Sequence, residues 1–278
     1  CARIGAVTGD GLAALLKRHY SKKILFAAVI LVVVANTVNI GSDLAAMAAT
    51  TQLLIPGLPA AGLAVFFAIA CVLLQMFVPY RQYAKILKWL AIALFAYPVT
   101  AFLVGQPWGE VFTRTFVPNV QFDANMIYII VGILGTTISP YLFFWNTSEV
   151  VEDEVEKHRI SNSSTDAKPH VSKNFIKKIR LDNIAGMTLA SVSAWFIVVA
   201  CASTLHAHGI TQIENAQDAA AALEPLVRGF PNAGLIAKLL FSVGIIGIGF
   251  LAVPVLAGSS SYAISEALGI KEGLYRKF

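Results

Sequence analysis

The run Gly135-Thr136-Thr137-Ile138-Ser139-Pro140-Tyr141 sets three hydroxyls and a proline in the middle of an otherwise apolar stretch. Pro140 carries no N–H, and its ring pushes away the carbonyl four residues back, so the C=O of Thr136 loses its helical donor. A carbonyl freed inside hydrocarbon must find another partner. Secondary transporters use such broken helices at the bilayer midplane, where unwound carbonyls and half-helix C-termini hold a cation. The plainer reading is a proline kink whose neighbouring Ser and Thr hydroxyls re-satisfy the backbone. The residue pattern alone leaves both open.

A second polar group lies further upstream. Asn36, Asn39, Ser42 and Asp43 recur at spacings that put most of them on one helical face. Asp43 is an acid within an apolar stretch, and an unpaired intramembrane carboxylate costs on the order of 3 kcal/mol or more. It is read as a cation ligand, a relay group or a structural partner, because hydrogen bonds across helices to Asn or Ser are routine membrane glue. Gln75 and Gly258-Ser259-Ser260-Ser261 read as helix packing, Gly244, Gly247 and Gly249 as points of close helix approach, and Pro254 as a kink. His206 and His208 have no third ligand beside them and read as an exposed helix end. Cys1, Cys71 and Cys201 stand too far apart for a CxxC motif and read as small packing residues. Walker, GxSxG and HExxH motifs are missing from the sequence.

The elements that must position these groups follow from composition. The 278 residues are 57% hydrophobic and 13% charged, with a mean hydropathy of +0.70. A soluble globule carries about 25% charged residues, so a soluble enzyme is excluded. Runs of about 20 apolar residues, enough to cross roughly 30 Å of hydrocarbon, fall near 24–48, 59–79, 85–105, 125–148, 183–205 and 233–258. The expected fold is therefore an all-α membrane protein with six transmembrane helices in a single domain over 1–278. A cytoplasmic loop is expected at 150–180.

Charge orients the spans. Lys17, Arg18, Lys22 and Lys23 precede the first, and Arg81, Lys85 and Lys88 join the second to the third. Lys157, Arg159, Lys168, Lys173, Lys177, Lys178 and Arg180 lie between the fourth and fifth, and Lys271, Arg276 and Lys277 form the tail. All of these fall on one face. The opposite loops hold the turn 55–59, then Glu110, Arg114 and Asp123, then Glu214, Asp218, Glu224 and Arg228. The positive-inside rule makes both ends of the chain cytoplasmic. The pI near 9.1 is then explained by anionic lipid, not by nucleic acid, because the cations are divided among loops at span ends. Glu149, Glu152, Asp153, Glu154 and Glu156 open a polar linker that continues through Ser161 to Asp166. The sequons at Asn162 and Asn146 are expected to stay unmodified, one on the cytoplasmic side and one at a membrane end.

With these motifs set out, the chain resembles the NRAMP family of divalent metal-ion transporters, and more closely its NRAMP-related branch associated with magnesium. The resemblance covers nearly the whole chain. It runs through Cys1-Ala2-Arg3-Ile4-Gly5 with Thr8-Gly9, Asn39-Ile40-Gly41-Ser42-Asp43-Leu44 and Trp108-Gly109. Most specific is Gly135-Thr136-Thr137-Ile138-Ser139-Pro140-Tyr141-Leu142-Phe143-Phe144-Trp145, and Leu205-His206-Ala207 and Gly258-Ser259-Ser260-Ser261 are similar as well.

The resemblance implies a LeuT-type inverted-repeat bundle of about eleven helices, of which these six spans match the third to eighth. Residues 1 to 20 then match the inner end of the second. The family's first helix, with half of its metal ligands, and its C-terminal helices are expected to lie outside this sequence, which reads as a fragment. Laid on the family's sixth-helix motif, Thr136 takes the carbonyl-ligand position and Ser139 the methionine-ligand position, with Asp43 and Tyr141 as further site residues. A hydroxyl in place of a thioether suits hard cations and their water shells, which puts Mg²⁺ ahead of Mn²⁺. Tyr141 stands for a motif His, Asn146 for a second His and Ala46 for an acid, and these departures argue against proton coupling.

The expected function is a secondary transporter or facilitator moving a divalent cation across the bacterial inner membrane by alternating access. Neither a cofactor nor an enzymatic activity is expected, and the partners are the metal ion and the bilayer. An amino-acid or other organic-solute carrier of the same fold is the alternative. A membrane enzyme using the acidic run at 149–156, and a passive channel, are weaker rivals.

Overall fold

In a computed structural model the chain is described over residues 1–77, 95–117, 123–156, 173–205 and 232–270, with the single positions 89, 220 and 223. All regular structure among the described residues is helical. The helices are α1 (Ala2–Thr8), α2 (Leu12–His19), α3 (Lys22–Leu54), α4 (Ala60–Phe77), α5 (Ala96–Leu103), α6 (Trp108–Phe116), α7 (Ala124–Thr137), α8 (Pro140–Glu156), α9 (Lys173–Thr204) and α10 (Ala233–Leu268).

Five stretches among the described residues are long and apolar enough to cross a membrane: α3, α4, α7 with α8, α9 and α10. Leu31, Val38, Phe77 and Tyr128 are exposed apolar side chains on these helices, which only a lipid solvent tolerates in such number. The protein is an all-α, multi-pass membrane protein. The third expected span, 85–105, lies mostly outside the described residues, apart from α5 at its end. So do Arg81, Lys85, Lys88, Asn162, His206, His208, the acids Glu214, Asp218 and Glu224, and the basic tail.

Several elements run further than hydropathy alone places them. The segment 150–180, expected as a loop, is helical at both ends, since α8 continues to Glu156 and α9 begins at Lys173. The last span, expected to stop at 258, continues ten residues to Leu268. Ser259 and Ser260 bond back to the Leu256 carbonyl at 3.3 and 3.1 Å, so these hydroxyls sit within the helix instead of ending it. Gly269, at φ 77°, ends it by donating to Ser265 O. Pro254 lies inside α10.

The chain divides into two compact units. The first comprises Cys1–Ile40, Ile129–Thr188 and Val255–Phe278. Its core gathers Ala13 of α2, Leu25, Val29 and Val32 of α3, Phe144 of α8, and Ala263 and Ala267 of α10. Small residues let backbones meet here, as in membrane bundles generally. A Cβ on Gly5 would stand 2.6 Å from the Thr147 carbonyl oxygen, and one on Gly258 would stand 2.4 Å from the Trp145 ring.

The second unit comprises Gly41–Tyr128 and Leu189–Pro254. Its core includes Tyr97, Ala101, Val199, Ala200, Ala237 and Phe241. Beside it, Trp108 packs 4.8 Å from Phe102 and 6.5 Å from Trp195, and Phe112 stacks on Trp195 at 5.7 Å. Trp195 Nε1 donates to Thr115 Oγ1 at 3.0 Å. Rings with one polar tip are the usual occupants of a membrane–water interface.

Candidate metal centre

The interruption in the fourth span falls where Pro140 requires it. Helix α7 ends at Thr137, Ile138 and Ser139 are non-helical, and Pro140 opens α8. Proline at the first position of a helix loses nothing, because that N–H has no helical acceptor. The carbonyls left over at the end of α7 include those of Gly135 and Thr136. Both lie 2.9 Å from Ser139 Oγ. One hydroxyl carries one proton, so at any instant it satisfies one of the two carbonyls and leaves the other unserved by it.

The neighbouring hydroxyls are engaged elsewhere. Thr136 Oγ1 donates to Gly132 O or Ile133 O at 3.1 and 3.0 Å, and Thr137 Oγ1 donates to Ile133 O at 2.6 Å. Ser139 is buried, Thr136 exposed and Tyr141 half-buried. The break therefore brings Thr136 and Ser139 into direct contact, with Tyr141 one residue into α8. The freed Thr136 carbonyl faces a neighbouring hydroxyl in this arrangement. That is the geometry of a re-satisfied kink, and it equally sets two oxygens side by side.

Asp43 is half-buried on α3 in the second unit. Among the described residues, no three His, Cys, Asp or Glu side chains gather around one point.

The other polar residues of the first span have a packing role. Asn36 is buried, and its Nδ2 reaches Ser259 Oγ and Ser260 Oγ at 2.8 Å and Leu256 O at 3.1 Å. This joins α3 to α10. Asn146, expected at a membrane end, donates to Asn183 Oδ1 of α9 at 2.7 Å, and Asn183 donates to Ile179 O.

One buried acid was not foreseen. Glu266 of α10 is 6% exposed and takes the N–H groups of Ala13 and Ala14 at 2.8 and 3.0 Å and the Ser148 hydroxyl at 3.0 Å. It caps α2 from another helix. Tyr262, one turn earlier, donates to Glu152 Oε1 at 2.8 Å. The signal available in the sequence was Gly269, a stop for a helix long enough to include Glu266.

Residues 1–277 match the family described as Natural resistance-associated macrophage protein-like. The chain belongs to the Nramp family. This Nramp chain is 28% identical over 256 residues to the divalent metal cation transporter MntH of Mesorhizobium japonicum, covering 89% of the chain and 52% of that protein. It is 27% identical over 258 residues to MntH of Brucella suis biovar 1, covering 90% and 52%. To MntH of a Nostoc species it is 26% identical over 236 residues, covering 82% and 50%. The Nramp chain thus spans about half the length of the curated relatives it matches.

Proposed function

We propose that the protein carrying this chain is a secondary transporter or facilitator for divalent metal cations, working by alternating access in a bacterial inner membrane. Mg²⁺ is the favoured ion and Mn²⁺ the next. Family membership and the relatives' printed function, divalent metal cation transport, support the coarse reading. The observation that carries it to a site is the interrupted span, with Gly135 and Thr136 carbonyls released beside Ser139.

The geometry favours a hard ion. Mg²⁺ takes oxygen ligands in an octahedron with bonds of about 2.0–2.1 Å, so adjacent ligands stand about 2.9 Å apart. Thr136 O and Ser139 Oγ are 2.9 Å apart. An arriving dication could use that pair as one edge of its shell by turning the Ser139 proton outward, with waters or Tyr141 completing the coordination. A thioether at 139 would instead favour softer ions. The transmembrane potential supplies about 2.3 kcal/mol per elementary charge per 100 mV, so a dication needs no proton partner to be drawn inward. The basic residues at the cytoplasmic ends of the spans support an orientation with both ends of this chain inside.

The test is uptake into proteoliposomes by the full protein that carries this chain. Wild type is expected to take up Mg²⁺ in a saturable way, competed by Mn²⁺ and not by amino acids. Ser139→Met is expected to raise the Mn²⁺:Mg²⁺ uptake ratio about tenfold. An unchanged ratio refutes the role of Ser139, and competition by amino acids returns the protein to the solute-carrier reading.

A further inference from the structure

Helix α8 begins at the residue after Ser139, so the placement of α8 decides how Ser139 Oγ meets the Gly135 and Thr136 carbonyls across the break. From Pro140 to Glu156 that helix is unbroken and moves as a rod. Its middle is firmly held. Phe144 is buried in the core of the first unit, Trp145 packs on Gly258, Thr147 O lies against Gly5, and Tyr262 donates to Glu152 Oε1 at 2.8 Å. Ser148 donates to Glu266 Oε1 at 3.0 Å.

The carboxyl that Ser148 reaches is itself fixed. Its Oε2 accepts from Ala13 N and Ala14 N at 2.8 and 3.0 Å. A Cβ at Gly11, the N-cap of α2, would overlap Oε1, so glycine there leaves the acid its room. In return Lys17, in the last turn of α2, reaches the far end of α10, with its Nζ 3.1 Å from where a Cβ on Gly269 would stand. Helix α10 thus sets an acid at the N-terminus of α2, and α2 sets a cation at the C-terminus of α10. Both signs favour the helix dipoles. The two helices are joined at two points, and Glu266 ties that pair to α8.

Taking the break as the metal site proposed above, we propose that Glu266 is a positioning residue for it. By fixing α8 through Ser148, it sets where Ser139 stands against the Thr136 carbonyl, and so how tightly and how selectively the break takes Mg²⁺. Ser148 lies about 12 Å along α8 from Pro140 at 1.5 Å per residue, so the influence travels through the rod. The contact of Trp145 on Gly258 serves as fulcrum, three residues from Ser148 and six from Ser139. A shift of about 1 Å at Ser148 then becomes about 2 Å at Ser139. Binding constellations need their ligands held to about 0.5 Å, so this tie decides whether the 2.9 Å oxygen pair stays an edge that Mg²⁺ can use.

Initial rates of Mg²⁺ and Mn²⁺ uptake into proteoliposomes by the full protein that carries this chain test the role, with melting and tryptic cleavage of α2 measured alongside. Glu266→Ala is expected to raise KM for Mg²⁺ about tenfold and the Mn²⁺:Mg²⁺ uptake ratio about threefold, because Mg²⁺ tolerates imperfect geometry least. Glu266→Gln, whose amide can keep all three partners, is expected to stay within about twofold of wild type. Ser148→Ala cuts the tie to α8 and leaves α2 capped. It is expected to raise KM about threefold with cleavage of α2 unchanged. Adding it to Glu266→Ala is expected to raise KM no further, since the two act in series. Val199→Ala, in the core of the second unit, is expected to lower the melting temperature and leave KM and the ion ratio at wild type. Glu266→Ala that melts early with a wild-type KM overturns the proposal. So does Ser148→Ala with an unchanged KM, which decides the case by itself if Glu266→Ala does not fold, and so does a Val199→Ala shift in KM matching that of Glu266→Ala. Wild type without saturable divalent-cation uptake instead removes the metal site at the break, and the positioning role with it.

Discussion

Replacing Glu266 tests whether a carboxylate from the last described helix holds α2 in place. Its Oε2 accepts two backbone N–H groups from the first turn of α2, at 2.8 and 3.0 Å, and Oε1 accepts from Ser148 at 3.0 Å. Ala13 is fully buried, so water does not replace the lost acceptor. Hydrogen bonds to charged groups are worth about 1.5–3 kcal/mol each, and a buried donor left bare costs about as much. Glu266→Ala is therefore expected to destabilise the first unit by about 3–5 kcal/mol, lowering the melting temperature by about 10 °C.

Glu266→Gln gives the sharper contrast. Its amide oxygen can take the place of Oε2 and keep both N–H groups. Its NH₂ can donate to Ser148, whose own proton still reaches Phe144 O at 3.1 Å. Only the charge assistance is lost, about 1 kcal/mol. Melting in detergent, followed by size-exclusion fluorescence, measures the global term. Tryptic cleavage at Lys17 and Arg18 of α2 measures the local one, with Ala faster than wild type and Gln close to it. The reasoning fails if Ala and Gln lose the same stability, or if Ala leaves cleavage of α2 unchanged.

The other expectations concern helix contacts. Gly258→Ala puts a methyl 2.4 Å from the Trp145 ring and should cost about 1–3 kcal/mol in the same melting assay. Gly186→Ala, with nothing within 4 Å, should be neutral or gain about 0.5–1 kcal/mol from helix propensity. Asn36→Leu removes the link from α3 to α10, but Ser259 and Ser260 keep their bonds to Leu256 O. The loss should stay near 1 kcal/mol, as for other interhelical hydrogen bonds in membranes. A loss above 3 kcal/mol in that variant would assign Asn36 more than packing.

What could be read from the sequence was whatever a single residue decides by itself. Pro140 dictates the end of α7 because a missing N–H and a ring clash act over four residues only. The spans were legible because lipid demands continuous apolar surface, and their ends were not. Hydropathy stops the last span at 258, before the polar run Ser259–Ser261, although Ser259 and Ser260 bond back to Leu256 O inside a continuing helix, and that short boundary hid Glu266. Pairings across long separations were equally hidden, since nothing in Asn36 or in Ser259 names the other.

The same distinction governs the break. A proline fixes which carbonyl is released, but what takes that carbonyl depends on a rotor, the Ser139 hydroxyl, whose proton serves Gly135 O or Thr136 O at equal distance. Two acceptors competing for one proton leave an oxygen under-satisfied in a region where water is scarce, and a cation bound there would resolve the shortfall by taking lone pairs from both carbonyls and the hydroxyl at once. A plain kink gains nothing from that surplus of acceptors. Ser139→Ala therefore separates the two readings. A kink loses its only local donor and should destabilise by about 1–3 kcal/mol with added Mg²⁺ restoring nothing, whereas a metal site should recover part of that loss as Mg²⁺ is raised, because a ligand bound to the folded state stabilises it by mass action. A melting temperature of the Ala variant that rises across the Mg²⁺ titration supports the metal site; one that is flat in both the Ala variant and wild type removes the metal from the break altogether.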